Sequence, residues 1–147
     1  MKNILDKVWG ILMMILAFVA VSCEDVDDLA TPNVASPVLV LLDGSSFPAD
    51  ASVGVTATFM ELDKSGILDH TVGIDSIPVS DLQVLVYINQ TEEVSALVTD
   101  GEGKIDLSVS WEALGLSAAS SGDQVRLEFA GTHKNVSFRK YHTVRVD

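Results

Sequence analysis

The body of this chain, residues 37–147, is predicted to be an all-β protein, a single antiparallel β-sandwich of about seven strands. Three observations predict it. Apolar residues there recur with period two rather than 3.6, which puts one face of each segment in a core and the other in water. The segments are short and are separated by Asp-, Asn- and Gly-rich reversals, residue types that tolerate the left-handed backbone of tight turns. Cys23 is the single cysteine among 147 residues, so no internal disulfide is available, and a body of this length buries enough surface to stand on one packed core.

The elements follow in order. Residues 36–42 supply a first apolar strand, and Val53, Val55, Ala57 and Phe59 alternate with Gly54, Thr56 and Thr58 in a second. Asp63-Lys64-Ser65-Gly66 is turn-like and opens a long connection, residues 67–77. Leu82, Val84, Val86 and Ile88 share a parity, while Leu85 and Tyr87 on the opposite face suggest a strand covered on both sides. A reversal at Asn89-Gln90-Thr91 leads into residues 94–98, and Asp100-Gly101-Glu102-Gly103 turns the chain again. Ile105, Leu107, Val109 and Trp111 give the cleanest alternation, with Trp111 expected to close the buried face. Trp111-Glu112-Ala113-Leu114-Gly115 can form one helical turn, stopped by its glycine. Val125, Leu127 and Phe129 flank Arg126 and Glu128, and His133-Lys134-Asn135 reverses the chain into the last strand. There Val136, Phe138, Val144 and Val146 share a parity with Lys140 and His142. A bulge near Arg139-Lys140-Tyr141 is expected to turn those polar groups outward.

The amino end has a different character. A basic start with Lys2 and Lys7 precedes an apolar run of fourteen residues, 8–21, too short for the roughly 20 residues of a spanning helix. Small residues Ala20, Val21 and Ser22 then lead directly to Cys23. This layout is an export signal, and its cysteine resembles the lipobox of bacterial lipoproteins. The resemblance implies cleavage after residue 22 and attachment to the membrane through a lipid on Cys23. Residues 23–36, acidic at Glu24-Asp25 and Asp27-Asp28 and containing Pro32, read as an extended tether. Acidic residues directly behind the cysteine are similar to the surface-export signals of Bacteroidetes lipoproteins. That similarity implies an outer-membrane location, surface-exposed rather than periplasmic.

The strand and turn order of residues 50–147 resembles bacterial immunoglobulin-like domains. It is carried by Val55-Thr56-Ala57-Thr58-Phe59, Asp63-Lys64-Ser65-Gly66, Pro78-Val79-Ser80-Asp81-Leu82, Thr99-Asp100-Gly101-Glu102-Gly103-Lys104-Ile105 and Gly122-Asp123-Gln124-Val125. Invasin/intimin-type and transthyretin-like domains are the nearest in pattern. Such domains are structural or adhesive and carry no catalytic residues, so the resemblance implies an immunoglobulin-like sandwich acting as a binding module. The connection 67–77 is longer than is usual in these families.

The chemistry of the residues agrees with a non-enzymatic reading. A net charge of −12, one unit more negative once Lys2, Lys7 and Asp6 leave with the signal, excludes nucleic acid as a partner. His70, His133 and His142 have no short spacing, and no cofactor or metal is expected. Asp100-Gly101-Glu102 starts like a calcium loop, but Lys104 stands at the fifth ligand place and no glutamate closes the loop. No Gly-x-Ser-x-Gly elbow occurs. Asp75-Ser76-Ile77 resembles the acceptor pattern of Bacteroidetes O-glycosylation, making Ser76 a candidate glycan site.

Cations concentrate at the carboxyl end, where Arg139, Tyr141 and Arg145 share a parity opposite to Phe138. Edge protection accounts for the charges, whereas a binding role also uses the ring. The three are the candidate contact residues for an envelope protein or a glycan, in an assembly for glycan uptake or adhesion. The alternative is a scaffold subunit with no ligand of its own.

Overall fold

The computed structural model describes residues Ser36–Asp147, which form one compact unit. Cys23, the signal 1–22 and nearly all of the tether 23–36 lie outside the described residues. The body is a two-sheet β structure of nine strands among the described residues. They are β1 (Leu39–Asp43), β2 (Ser46–Phe47), β3 (Val53–Asp63), β4 (Asp75–Pro78), β5 (Gln83–Ile88), β6 (Glu92–Val98), β7 (Lys104–Val109), β8 (Gln124–His133) and β9 (Val136–Val146). Among these residues no helix is long and apolar enough to cross a membrane.

In the smaller sheet the long β3 pairs with β1, β7 and β4; the larger runs β2-β9-β8-β5-β6. Every pairing is antiparallel except the two-residue bridge of β2 to β9. The period-two pattern works as expected. Val53, Val55, Ala57 and Phe59 from β3 and Ile105 and Leu107 from β7 are buried, and they belong to one core cluster with Val84, Val86, Ile88, Leu127, Phe129, Phe138, Val144 and Val146 of the other sheet. Phe59 and Phe138 meet between the layers at 5.8 Å between ring centroids, tilted by 53°. Such aromatic pairs add modestly to the area they bury.

Turn chemistry fixes the register. Asn89 and Gln90, and likewise Lys134 and Asn135, take positive φ, the twist required of two-residue hairpin turns. The single helical turn from Trp111 is stopped at Gly115, whose φ is +85°. Asp100 Oδ1 accepts hydrogen bonds from the backbone N–H groups of Glu102 and Lys104 at 2.8 and 2.9 Å. Those bonds, chiefly the one from Lys104, hold its carboxyl below the ordinary aspartate range.

The sign of that shift gives a first expectation. A carboxylate whose folded pKa is depressed contributes stability that is complete above its unfolded value and is lost as pH falls through the folded one. Asp63 and Asp69 are lowered for the same reason, by backbone and side-chain donors at Ser65 and Thr71. Acid titration below the ordinary aspartate range therefore destabilises the body, and Asp100→Asn flattens part of that dependence when unfolding midpoints are compared across pH.

Three sequence expectations need correction. Nine strands replace about seven, because β2 and β4 were not anticipated. β4 places Ser76 on a strand, opposite Leu62 of β3, and not within a loop; its side chain is exposed. The bulge expected near Arg139-Lys140-Tyr141 is absent: β8 and β9 pair without a register shift from Gln124↔Arg145 to His133↔Val136. Lys140 and His142 stay on the core parity. Lys140 reaches solvent at the open edge of β9, and His142 Nε2 lies 2.8 Å from the Gly44 carbonyl. The register shift in this sheet lies in the β5–β6 pairing, between Val86 and Tyr87.

Candidate binding face of the larger sheet

The outward face of the larger sheet is built rung by rung from its register. Tyr141 of β9, Glu128 of β8 and Tyr87 of β5 form one rung. Arg139, Ala130 and Leu85 form the next, and Thr143 and Arg126 stand on the other side of the tyrosine–glutamate rung. Alternation turns these side chains away from the core, since Phe138, Val144, Leu127 and Phe129 take the opposite parity and are buried.

Arg139, Tyr141 and Arg145 do lie on this one face, all exposed, with Tyr141 48% accessible. The structure groups only two of them. Arg139 and Tyr141 border Glu128, whereas Arg145 is four residues beyond Tyr141, about 13 Å along the strand, opposite Gln124 and Ser46. The cation that meets the ring is Arg126: its guanidinium carbon lies 5.0 Å from the Tyr141 centroid, within the range of a cation–π contact.

Glu128 was not singled out by the sequence. Its parity is outward, yet it is only 2% exposed, beneath its cross-strand neighbours. Arg139 Nη1 stands 2.5 Å from Oε1, an ion pair lacking an aligned hydrogen bond. Both carboxylate oxygens are buried; Oε1 has the Arg139 guanidinium and Oε2 has no hydrogen-bond partner. A buried carboxylate is costly unless paired and fully hydrogen-bonded, so Glu128 retains unused acceptor capacity at Oε2, on the face that also carries Arg126, Arg139 and Tyr141. The available signal was the sequence Arg126-Leu127-Glu128 on a strand facing Arg139, but it becomes visible only once the register is known.

Beside Arg126 an open cleft of about 510 Å³ extends between Asn89, Leu114, Gly115 and Gln124, a size within the range of small-molecule sites. Two neighbouring basic side chains serve elsewhere. Lys134 Nζ and His133 Nε2 meet Glu61 of β3 at 2.5 and 3.3 Å, tying the β8–β9 turn to the other sheet. Lys134 first and His133 second hold the Glu61 carboxyl below the usual glutamate range. Among the described residues no cluster of three or more His, Cys, Asp or Glu side chains is arranged to hold a metal ion.

Comparison with family models, with curated proteins and with solved structures finds no match to this chain.

Proposed function

We propose that this chain is a lipid-anchored, non-enzymatic binding module of a bacterial cell envelope, with the outward face of its larger sheet as the contact surface. The anchor is Cys23, in the lipobox-like setting given by Ala20-Val21-Ser22. The body is an immunoglobulin-like sandwich displayed at the outer membrane of a Bacteroidetes-type cell, where it serves an adhesion or glycan-uptake assembly. One observation carries the reading: on one face of the larger sheet Arg126 stacks on the half-exposed Tyr141, and Tyr141 stands opposite Glu128, a buried carboxylate paired with Arg139. In a chain of net charge −12, that pair of guanidinium groups is a local site for a carboxylate. The half-exposed ring offers a stacking surface. An acidic glycan or an acidic protein segment has this combination of groups.

Tyr141→Ala is expected to leave the melting transition close to that of the parent and to weaken capture of an acidic polysaccharide by at least about tenfold, equivalent to about 1.4 kcal/mol. Calorimetry reads the first quantity and equilibrium binding on immobilised polysaccharide the second. Unchanged capture with an intact fold returns the face to edge protection and favours the scaffold alternative. The anchor is tested separately: Cys23→Ala abolishes labelling by a clickable fatty acid and releases the chain from membranes, whereas unlabelled, membrane-bound protein in both forms points to an uncleaved signal anchor.

A further inference from the structure

The connection between β3 and β4 carries apolar side chains into solvent. Ile67, Val72 and Ile74 are about half exposed and Leu68 is 99% exposed, with Ile77 of β4 open beside them in sequence. This connection is built, not loose. The N–H groups of Ile67, Asp69 and Gly73 donate to the carbonyls of Lys64, Gly66 and Asp69 at 3.1, 2.9 and 2.9 Å, giving consecutive turns. The Asp63 carboxylate accepts from Ser65 N–H, and Asp69 accepts from both Thr71 N–H and Oγ1–H. A β-carbon on Gly66 would overlap Val72, so the two turns are packed on each other. Polar groups are satisfied within the loop while aliphatic ones point out, a pattern that marks a contact surface for something apolar.

The place of the loop indicates what that is. Leu39 pairs with Met60, and β3 ends shortly afterwards at Asp63. The chain therefore enters the body at the same end from which the apolar loop leaves it. Residues 24–35 precede that entry and reach at most about 43 Å when extended. We propose that residues 67–74 dock on the lipid bilayer that holds the chain, with Ile67 and Leu68 entering the interface. The proposal rests on acylation of Cys23, which brings this end of the body to the membrane. Because the tether keeps the loop near the surface, even a weak contact is populated.

The test uses the full chain in vesicles of zwitterionic phosphatidylcholine, some of it brominated on the acyl chains to quench indole fluorescence. Leu68→Trp is compared with Ser117→Trp, which lies on the exposed surface near Trp111 and Leu116 at the other end of the body. Cleavage before Cys23 removes Trp9, so both variants share Trp111 as the native background. The added fluorescence at position 68 is expected to fall by about half in brominated vesicles, and that at position 117 to stay unchanged. Intact mass reports whether Cys23 carries lipid. Where it does not, coupling its thiol to a maleimide lipid supplies the same tether, so failure of the anchor and failure of the loop contact are read apart. Equal quenching at the two positions overturns the proposal. So does protection of position 68 in native envelopes but not in pure lipid, which assigns the loop to a protein partner.

Discussion

Replacing Trp111 by alanine is expected to lower the unfolding free energy by about 3–5 kcal/mol, a large part of the 5–15 kcal/mol typical of a domain. The indole is 4% exposed and belongs to the central cluster. It sits just past β7, and its Nε1–H donates to the Pro48 carbonyl at 3.0 Å. Alanine leaves a cavity and removes one of the two donors to that carbonyl, Ala51 N–H at 3.2 Å being the other. Trp111→Phe refills much of the volume but not the hydrogen bond, so it is expected to cost less. Denaturant midpoints at constant slope measure both losses. An unchanged midpoint for the alanine variant would show that the helical turn contributes little to the core.

Thr99→Val is expected to cost about 2–4 kcal/mol although it hardly changes shape, since each orphaned buried group costs about 1–3 kcal/mol. Thr99 is 3% exposed, and its hydroxyl donates to the Val79 carbonyl at 2.6 Å and accepts from Leu82 N–H at 2.9 Å. Its own N–H and carbonyl bond Leu82 and Asp81. Val79 N–H in turn donates to Phe59 of β3. One side chain thus secures the crossing at which the chain passes from the smaller sheet to the larger. Thr99→Ser, which keeps the hydroxyl, is expected to retain most of the stability. Faster amide exchange at Leu82 in the valine variant alone would locate the effect.

The strands legible in the sequence were those with one wet and one dry face. β3 and β7 alternate cleanly because Thr56 and Asp106, facing each other in the register and hydrogen-bonded at 2.7 Å, meet water while Val55, Ala57, Ile105 and Leu107 do not. β4 was missed for the same physical reason in reverse. All four of its residues are exposed, so burial writes no period into it, and Pro78 argues against a strand except at an edge. β2 is two residues long and exists only through its bridge to β9. The bulge was inferred from Lys140 and His142 on an apolar parity, but at a sheet edge the inward side is reached by water and by neighbouring carbonyls, so polar residues fit there without irregularity. Of the candidate face, the shared side of Arg139, Tyr141 and Arg145 was readable from period two alone. The role of Arg126 and the burial of Glu128 depend on which strand lies beside which, information that one chain of letters does not carry locally.

The order of the larger sheet sets a timetable for chain growth. β8 lies between β5 and β9, and β2 is fixed only by its bridge to β9, with the Ser46 hydroxyl donating to the Asp147 carboxylate across 101 positions of sequence. A polypeptide emerging amino end first can pair β5 with β6 early, but the other edge of β5 has no neighbour strand until Gln124–His133 arrives. Contacts of such sequence separation form slowly and late. A nascent chain interrupted before residue 124 therefore carries an unpaired edge on β5, the kind of edge that keeps an unfinished chain a client of chaperones or sends it into aggregates.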